Sequence, residues 1–306
     1  MTKISCILPI SKDLKYLDKS IQSILNQSFK NFELIIIINT HDKKINRKLY
    51  NYSKLDKRIK IFSKTSGNLS ELLNYGISKA KGEYIARQDS DDISHEKRFE
   101  MQVNWFKKKS KKFKAKVLCG TNGYLINEKN VKEGKLKFIK FSHEEIKNRL
   151  IFANCFVHSS IMVNYRILRN KFKYEKYFEY SQDYDLWTRL IGFGEACNLK
   201  NKLIFYKYKK KLKKTKKFYH QILFAILVAT NYYHYTQFKK FKKFSNSFDV
   251  EIKKLEKNPK LKNHIKILRY IYGKKLSNQK LIFKKLSFFE ILKNIKNTLL
   301  LKTLIK

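Results

Sequence analysis

The chain predicts an α/β fold built on a mostly parallel sheet, and three observations predict it. Short apolar runs recur at ISCILPI (4–10), FELIIIIN (32–39), RIKIFS (58–63) and EYIARQD (83–89). Segments with helical periodicity separate them. The resulting order, β-α-β-α-β-α-β in about ninety residues, is the alternation that gives parallel strands joined by crossover helices.

Each element has its own reason. ISCILPI is rich in β-branched residues and is broken by Pro9, as a buried strand would be. LDKSIQSILNQSF (17–29) places Leu17, Ile21, Ile24 and Leu25 on one helical face. FELIIIIN is nearly all apolar, as expected of a central strand covered on both faces. LSELLNYGISKAKG (69–82) reads as a helix with Gly82 as its C-cap signal. EYIARQD is a fourth strand that runs into a cluster of acids. Further on, FEMQVNWFKKK (99–109) reads as helix and KVLCGTNGYLIN (116–127) as strand, turn, strand. YSQDYDLWTRLIGFG (180–194) reads as a helix with Tyr184, Trp187, Leu190 and Ile191 on a common face, for core packing. From about residue 201 the chain turns lysine-rich and helical, so two regions are expected, 1–200 and 201–306.

Composition narrows the function classes. A chain of 306 residues with 43% hydrophobic content buries a real core and is not disordered. The formal charge of +44 is uneven: residues 1–100 carry 19 basic and 12 acidic side chains, residues 201–306 carry 29 and 4. Such a tail points to an anionic partner, or to drift toward lysine-rich usage. Arginine is scarce, which argues against nucleic acid. The four cysteines form no CxxC pair, against a metal cage and in keeping with a reducing cytosol. Pro9 interrupts the N-terminal apolar stretch, so no signal peptide is expected, and no apolar run reaches the roughly 18 residues of a membrane span.

The acids lie in IARQDSDDISHEKRF (85–99). Ligands of open α/β sheets bind outside the carboxyl ends of the strands, where this cluster falls. In extended backbone, Asp89 and Asp91 point the same way. Two carboxylates so placed suit Mg²⁺ or Mn²⁺, which keeps waters and takes its other ligands from substrate phosphates. The alternative is local capping by Asp92, Ser94 and Glu96 at a helix start. Arg87 either faces a diphosphate or pairs with a nearby acid.

Taken together, ISCILPI, SIQSILNQSFKNFELIIIIN, LLNYGISKAKGEYIARQDSDDIS and RFEMQ resemble family 2 glycosyltransferases of the GT-A fold. The resemblance resumes at CGTNGYLIN (119–127), NCFVHSSIMV (154–163) and SQDYDLW (181–187), and covers roughly the first two-thirds of the chain. It implies a GT-A, Rossmann-like sheet with flanking helices. It also implies inverting transfer of a sugar from a nucleotide-diphosphate donor, usually UDP-linked, to a hydroxyl of a saccharide or lipid-linked acceptor. Many such enzymes build capsule, lipopolysaccharide or exopolysaccharide. By the same resemblance, Asp89 and Asp91 match the DxD metal motif, Asp183 the catalytic base, and His158 a segment on the acceptor side. Pro9, Ile10, Ser11, Asn39, Arg87 and Asp89 fall on the nucleotide-sugar side.

Three positions depart from the family pattern. Asn39-Thr40-His41-Asp42 stands where one or two aspartates usually follow the second strand. Ser66-Gly67-Asn68-Leu69 replaces Asn-x-Gly-Leu, and Ser11 replaces an aromatic. These changes bear on nucleotide identity and on the strength of the activity.

In the tail, QILFAILVAT (221–230) is too short to span a bilayer. SFFEILKNIKNTLLLKTLIK (287–306) gathers Phe288, Ile291, Leu292, Ile295, Leu299 and Leu300 on one face among lysines. That pattern fits an anionic membrane surface, and so a peripheral place on the cytoplasmic face, or a helix packed on the catalytic domain. The rival classes are a basic nucleic-acid-binding protein, whose aromatics form no RNA-binding motif, and a dinucleotide oxidoreductase, which lacks GxGxxG after the first strand.

Overall fold

The computed structural model describes residues 2–10, 15–208 and 216–273. The first half runs β1 (Ile4–Ile10), α1 (Leu17–Leu25), β2 (Phe32–Ile38), α2 (Lys43–Leu55), β3 (Ile59–Ser63), α3 (Leu69–Lys79) and β4 (Tyr84–Arg87). These four strands lie in the order β3-β2-β1-β4 and are all parallel. β1 and β2 are buried along their whole length, as their unbroken apolar runs require. Strand alternation splits β2 between two layers. Leu34, Ile36 and Ile38 pack with α1's Leu17, Ile21 and Ile24, while Ile35 and Ile37 pack with Leu72 of α3.

Helix α2 is the crossover that the strand order demands but that no apolar run announces. Its exposed lysines leave Ile45 and Leu49 as its buried contacts, and Asp42 caps it by accepting from the Lys44 and Ile45 amides at 2.8 and 3.3 Å. Gly82 is not a C-cap: α3 ends at Ala80, and a Cβ on Gly82 would lie 2.5 Å from the Ser5 amide nitrogen. Close approach to β1, not helix termination, requires glycine there.

The second half adds β5 (Ile93–Ser94), α4 (Arg98–Lys107), β6 (Lys116–Ile126), β7 (Lys132–Lys135), α5 (His143–Leu150), β8 (Met162–Asn164), α6 (Tyr165–Leu168), α7 (Gln182–Leu190) and β9 (Glu195–Lys207). They extend the sheet as β4-β8-β6-β9-β5, with β7 on β6, and β8 runs antiparallel to both neighbours. The sheet is therefore parallel in its first half and mixed in its second. β6 is one continuous strand and not the expected strand, turn, strand. Its glycines serve packing: a Cβ on Gly123 would sit 2.3 Å from the Ile204 carbonyl oxygen of β9.

Among the described residues, those up to 147 with 155–208 form one compact unit, and residues 148–154 with 216–273 form a second. The boundary expected at residue 201 falls inside β9, which pairs with β6 as far as Lys207. The second unit contains α8 (Lys216–Phe238), α9 (Phe248–Glu256) and α10 (Pro259–Gly273). Its buried side chains include Ile226, Leu227, Tyr232, Leu255, Ile265 and Leu268. The run at 221–230 lies within α8, and no helix among the described residues is long and apolar enough to cross a membrane. The segment 287–306 lies outside the described residues.

Candidate active site

The parallel strands end together at one edge of the sheet, and Arg87 is the last residue of β4. Beyond it the chain turns instead of continuing extended: the Asp92 amide donates to the Asp89 carbonyl at 3.4 Å. The same-face geometry expected for Asp89 and Asp91 is thus replaced by a turn carrying Asp89, Asp91 and Asp92. Buried Gln88 stitches this turn, donating to the Asp92 carbonyl at 2.8 Å and accepting from Ser94 Oγ at 2.8 Å. Ser20 of α1 donates to the Asp89 carbonyl at 2.8 Å.

Arg87 does not lie on the surface. Its Nη2 donates to Asp89 Oδ1 at 2.6 Å, and its Nη1 donates to the carbonyls of Ile7, at 3.3 Å, and Gln88. Burial drives the Asp89 carboxyl upward, but the Arg87 charge, the electrostatic pull of His158 and the hydrogen bonds from Ser159 and Arg87 together outweigh it and hold the carboxyl below the usual carboxylate range. Ser159 Oγ contacts both Asp89 Oδ2, at 2.5 Å, and Asp92 Oδ2. Asp92 is 1% exposed and also accepts from the Lys207 amide at 2.7 Å. Burial, then the charges of Asp89 and Asp91, push the Asp92 carboxyl far above its ordinary value. The capping alternative fails for Asp92: α4 begins at Arg98 with Lys97 as its N-cap, and the Asp92 side chain bonds elsewhere.

The segment RFEMQ supplies the scaffold under this cluster. Arg98, fully buried, donates to the carbonyls of Arg87, at 3.1 Å, and Ser159. Gln102 donates to the carbonyls of Cys119 and Ser160 at 2.7 and 2.8 Å. These two side chains bind the end of β4 to the 3₁₀ turn His158–Ser160.

His158 sits on that turn, its Nε2 2.8 Å from Tyr174 Oη, beside the fully buried Trp187 ring at 6.0 Å. Burial, then the Arg87 charge, push the imidazole down to about 3, so it is neutral at physiological pH. Asp183 lies in the first turn of α7, half-buried. Its neighbour Asp185 has a different task, because it is 3% exposed and pairs with Arg189 at 2.8 and 2.9 Å.

Two tyrosines tie these groups into one region. Burial pushes the Tyr206 hydroxyl far above its ordinary value, and the charges of Asp92, Asp89, Asp91 and Asp183 all add to the shift. Burial likewise raises Tyr174; the Arg87 charge opposes this, and Asp183 and Asp89 reinforce it. The charges of Asp89 and Asp183 both add to the upward shift of these two hydroxyls, although more than ninety residues separate them in sequence. Tyr174, Tyr206 and Lys207 are site neighbours that the sequence did not single out. Lys207 stands 3.3 Å over the Tyr16 ring and donates to Asn130 Oδ1 at 2.7 Å.

On the expected nucleotide side, Pro9 and Ile10 end β1. The Asn39 amide donates to the Ile10 carbonyl at 2.7 Å. With its side-chain amide turned so that the nitrogen faces them, Asn39 donates to the carbonyls of Lys64 and Thr65 at 3.1 and 3.0 Å. Pairing of β1 with β4 stops at Ile7, so Pro9, which lacks an N–H, leaves no ladder bond unmade on that side. Ser11 lies outside the described residues.

The donor set fits a hard cation in one respect only. Asp89 and Asp91 offer carboxylate oxygens at a strand end, as Mg²⁺ and Mn²⁺ prefer. Among the described residues, no group of three or more His, Cys, Asp and Glu side chains is arranged to hold a metal unaided. A cation here would take its remaining ligands from water and from substrate phosphates.

The comparisons with known proteins decide the class. The family described as Glycosyl transferase family 2 matches residues 5–178, more than half of the chain. The chain belongs to that family. Within it, the chain is 39% identical to the O-antigen biosynthesis glycosyltransferase WbnJ of Escherichia coli over 190 residues, 62% of this chain and 72% of that protein. Three further relatives are matched over 58–61% of their own lengths. Among solved structures the fold is similar to Staphylococcus aureus TarS 1-349 in complex with UDP-GlcNAc, with a TM-score of 0.62, 13% identity, and coverage of 90% of this chain and 89% of that one. It is also similar to the mannosyltransferase PcManGT of Pyrobaculum calidifontis in complex with GDP-Man and Mn²⁺, with a TM-score of 0.55, 10% identity, and coverage of 91% and 76%. The α/β fold is thus of the GT-A kind, and the family member is a transferase of sugars.

Proposed function

We propose that this glycosyltransferase moves a sugar, with inversion, from a nucleotide-diphosphate donor to a hydroxyl of a saccharide or lipid-linked acceptor in cell-surface polysaccharide synthesis. The donor is a UDP-sugar, and the enzyme works at the cytoplasmic face of the membrane. The observation that supports the reading is the acidic turn at the carboxyl end of β4, where Asp89 pairs with Arg87 at 2.6 Å and accepts from Ser159 Oγ at 2.5 Å, in a chain of this family.

In this reading Asp183 accepts the proton of the acceptor hydroxyl as that oxygen attacks the sugar carbon, which passes through an oxocarbenium-like state. Its place in the first turn of α7 favours the ionised form through the helix dipole. Asp89 and Asp91 hold Mg²⁺ or Mn²⁺, which when bound neutralises charge on the departing diphosphate. Arg87 keeps Asp89 ionised from below. Asn39, Pro9, Ile10 and Ser11 border the nucleotide, and His158, neutral and fixed by Tyr174, borders the acceptor. The O-antigen role of the Escherichia coli relative and the nucleotide-sugar complexes of the two structural neighbours support this assignment.

Thermal stability against UDP-, GDP- and dTDP-sugars, with and without Mn²⁺, tests it for wild type and Asp91→Ala. A ligand that binds only the folded state raises the melting temperature. The expected result is a metal-dependent rise with UDP-sugars that Asp91→Ala abolishes. No rise with any donor would overturn the reading.

A further inference from the structure

The second unit contains a built basic surface that the transfer reaction does not use. The loop KKFKKFSNS (239–247) joins α8 to α9. It is held from below at several points. The Phe241 ring stacks on Tyr235 at 4.3 Å and 6°, next to buried Tyr232 at 6.5 Å. Buried Asn231 accepts from the Lys242 amide at 2.8 Å and donates to the Lys242 carbonyl at 3.1 Å. His234 Nδ1 donates to the Lys240 carbonyl at 2.8 Å. Glu251 Oε1 accepts from the Asn246 amide at 3.1 Å and from its side chain at 2.7 Å.

With the backbone so fixed, the lysines turn outward. Lys240, Lys242, Lys243 and Lys254 line a depression of about 720 Å³ together with His234 and Glu251. Glu251 is the one carboxylate of that lining. It is 5% exposed and already engaged by Asn246 and, at 3.6 Å, by Lys254, so the other three ammonium groups face solvent uncompensated there. Two large apolar side chains stand at the rim. Phe238, 47% exposed, has its ring 4.7 Å from that of His234. Val250, 42% exposed, precedes Lys254 by one helical turn on the same face.

We propose that this depression is a docking surface for the phosphate headgroups of an anionic membrane, with Phe238 and Val250 entering the interface beside them. The inference deepens the membrane-facing part of the proposed function and rests on it. Charge complementarity names an anion, and the rim names its source. Lipid surfaces attract juxtaposed lysines, each by about 1 kcal/mol, and accept exposed apolar side chains at the headgroup level. Single-stranded nucleic acid would need a row of presented rings for successive bases to stack on, whereas Phe238 is a single exposed ring and Tyr232, Tyr235 and Phe241 stack on one another.

The test uses the full chain and vesicle sedimentation, which requires no donor sugar, so its failure leaves donor binding unaffected. Wild type is expected to bind phosphatidylglycerol-containing vesicles, to ignore pure phosphatidylcholine, and to be released by salt. Lys240→Ser/Lys242→Ser/Lys243→Ser is expected to weaken binding roughly a hundredfold, at about 1 kcal/mol per lysine. The same charge change at exposed Lys108, Lys109 and Lys111 of the first unit is expected to leave most of it. Lysine-acetylation footprinting of the wild type is expected to show vesicle protection of Lys240, Lys242 and Lys243, and needs no variant to fold. Equal loss in both triple variants, binding to neutral vesicles, absence of that protection, or loss confined to binding of a single-stranded RNA would each overturn the proposal.

Discussion

The guanidinium of Arg87 meets the carboxylate of Asp89 at 2.6 Å, with the arginine side chain 4% and the aspartate 30% exposed. Removing one partner of a buried pair leaves the other charge desolvated, and Arg87 also holds two backbone carbonyls. Arg87→Leu is expected to lower stability by about 3 kcal/mol in urea melts. The pair Lys15–Glu128, with both side chains more than half exposed, is the contrast, and Lys15→Ala is expected to cost less than about 1 kcal/mol. Equal effects in the two variants would show that the Asp89 pair is solvated.

His264 of α10 sets an acid limit on the second unit. It is buried, contacts the Ile151 carbonyl at 3.1 Å and stacks on Tyr233 at 4.2 Å. Burial pushes it down to about 4, against the pull of the Ile151 and Ala229 carbonyls. An unfolded histidine titrates near 6.5, so the unfolded chain binds more protons below that pH. Its contribution to stability is therefore complete above about pH 6.5 and is lost as pH falls toward 4, at about 1.4 kcal/mol per pH unit. Melting curves of the second unit across that window check this. His264→Phe is expected to flatten the slope, and an unchanged slope would assign it to other groups.

Gly123 of β6 is held by contact with β9. A Cβ there would stand 2.3 Å from the Ile204 carbonyl oxygen and 2.4 Å from its side chain. Backbone cannot retreat without opening the ladder, so Gly123→Ala is expected to destabilise by about 1–3 kcal/mol. Gly134, where the nearest atom to a Cβ is 3.9 Å away, is expected to accept alanine at little cost. Denaturant midpoints of the two variants separate the cases.

Gly123 also shows where reading the sequence stops. The four parallel strands with α1 and α3 were legible because each is a local run whose period states its burial. Glycine in CGTNGYLIN looks like a turn, because the neighbour that forbids a side chain lies on β9, about eighty residues away. Helix α2 had two buried apolar residues to announce it. In the site, Asp89 and Asp91 stood out as acids in a basic chain, and Asp183 was found through the family resemblance. Ser159 and Lys207 were not given roles, since they reach the acidic turn from 67 to 115 residues away. Asp92 looked like a helix cap because its true partners are equally remote.

In the proposed reading, the two acids of SQDYDLW divide chemistry from packing. Asp185 is buried against Arg189, and burial pushes its carboxyl up to about 6 despite that charge. The charge of Asp183, two residues earlier, adds to the upward shift of the Tyr174 and Tyr206 hydroxyls. Asp183→Asn is expected to reduce turnover by about 10²–10⁴ while donor binding and melting temperature stay near wild type. Asp185→Asn is expected to do the reverse. It loses half of a buried pair and about 1–3 kcal/mol of stability, with turnover retained below the new melting point. Donor titration, melting and initial rates on the same two variants check both halves. If Asp185→Asn removes turnover at full stability while Asp183→Asn does not, the base is Asp185, and its raised carboxyl is a catalytic device instead of a consequence of burial.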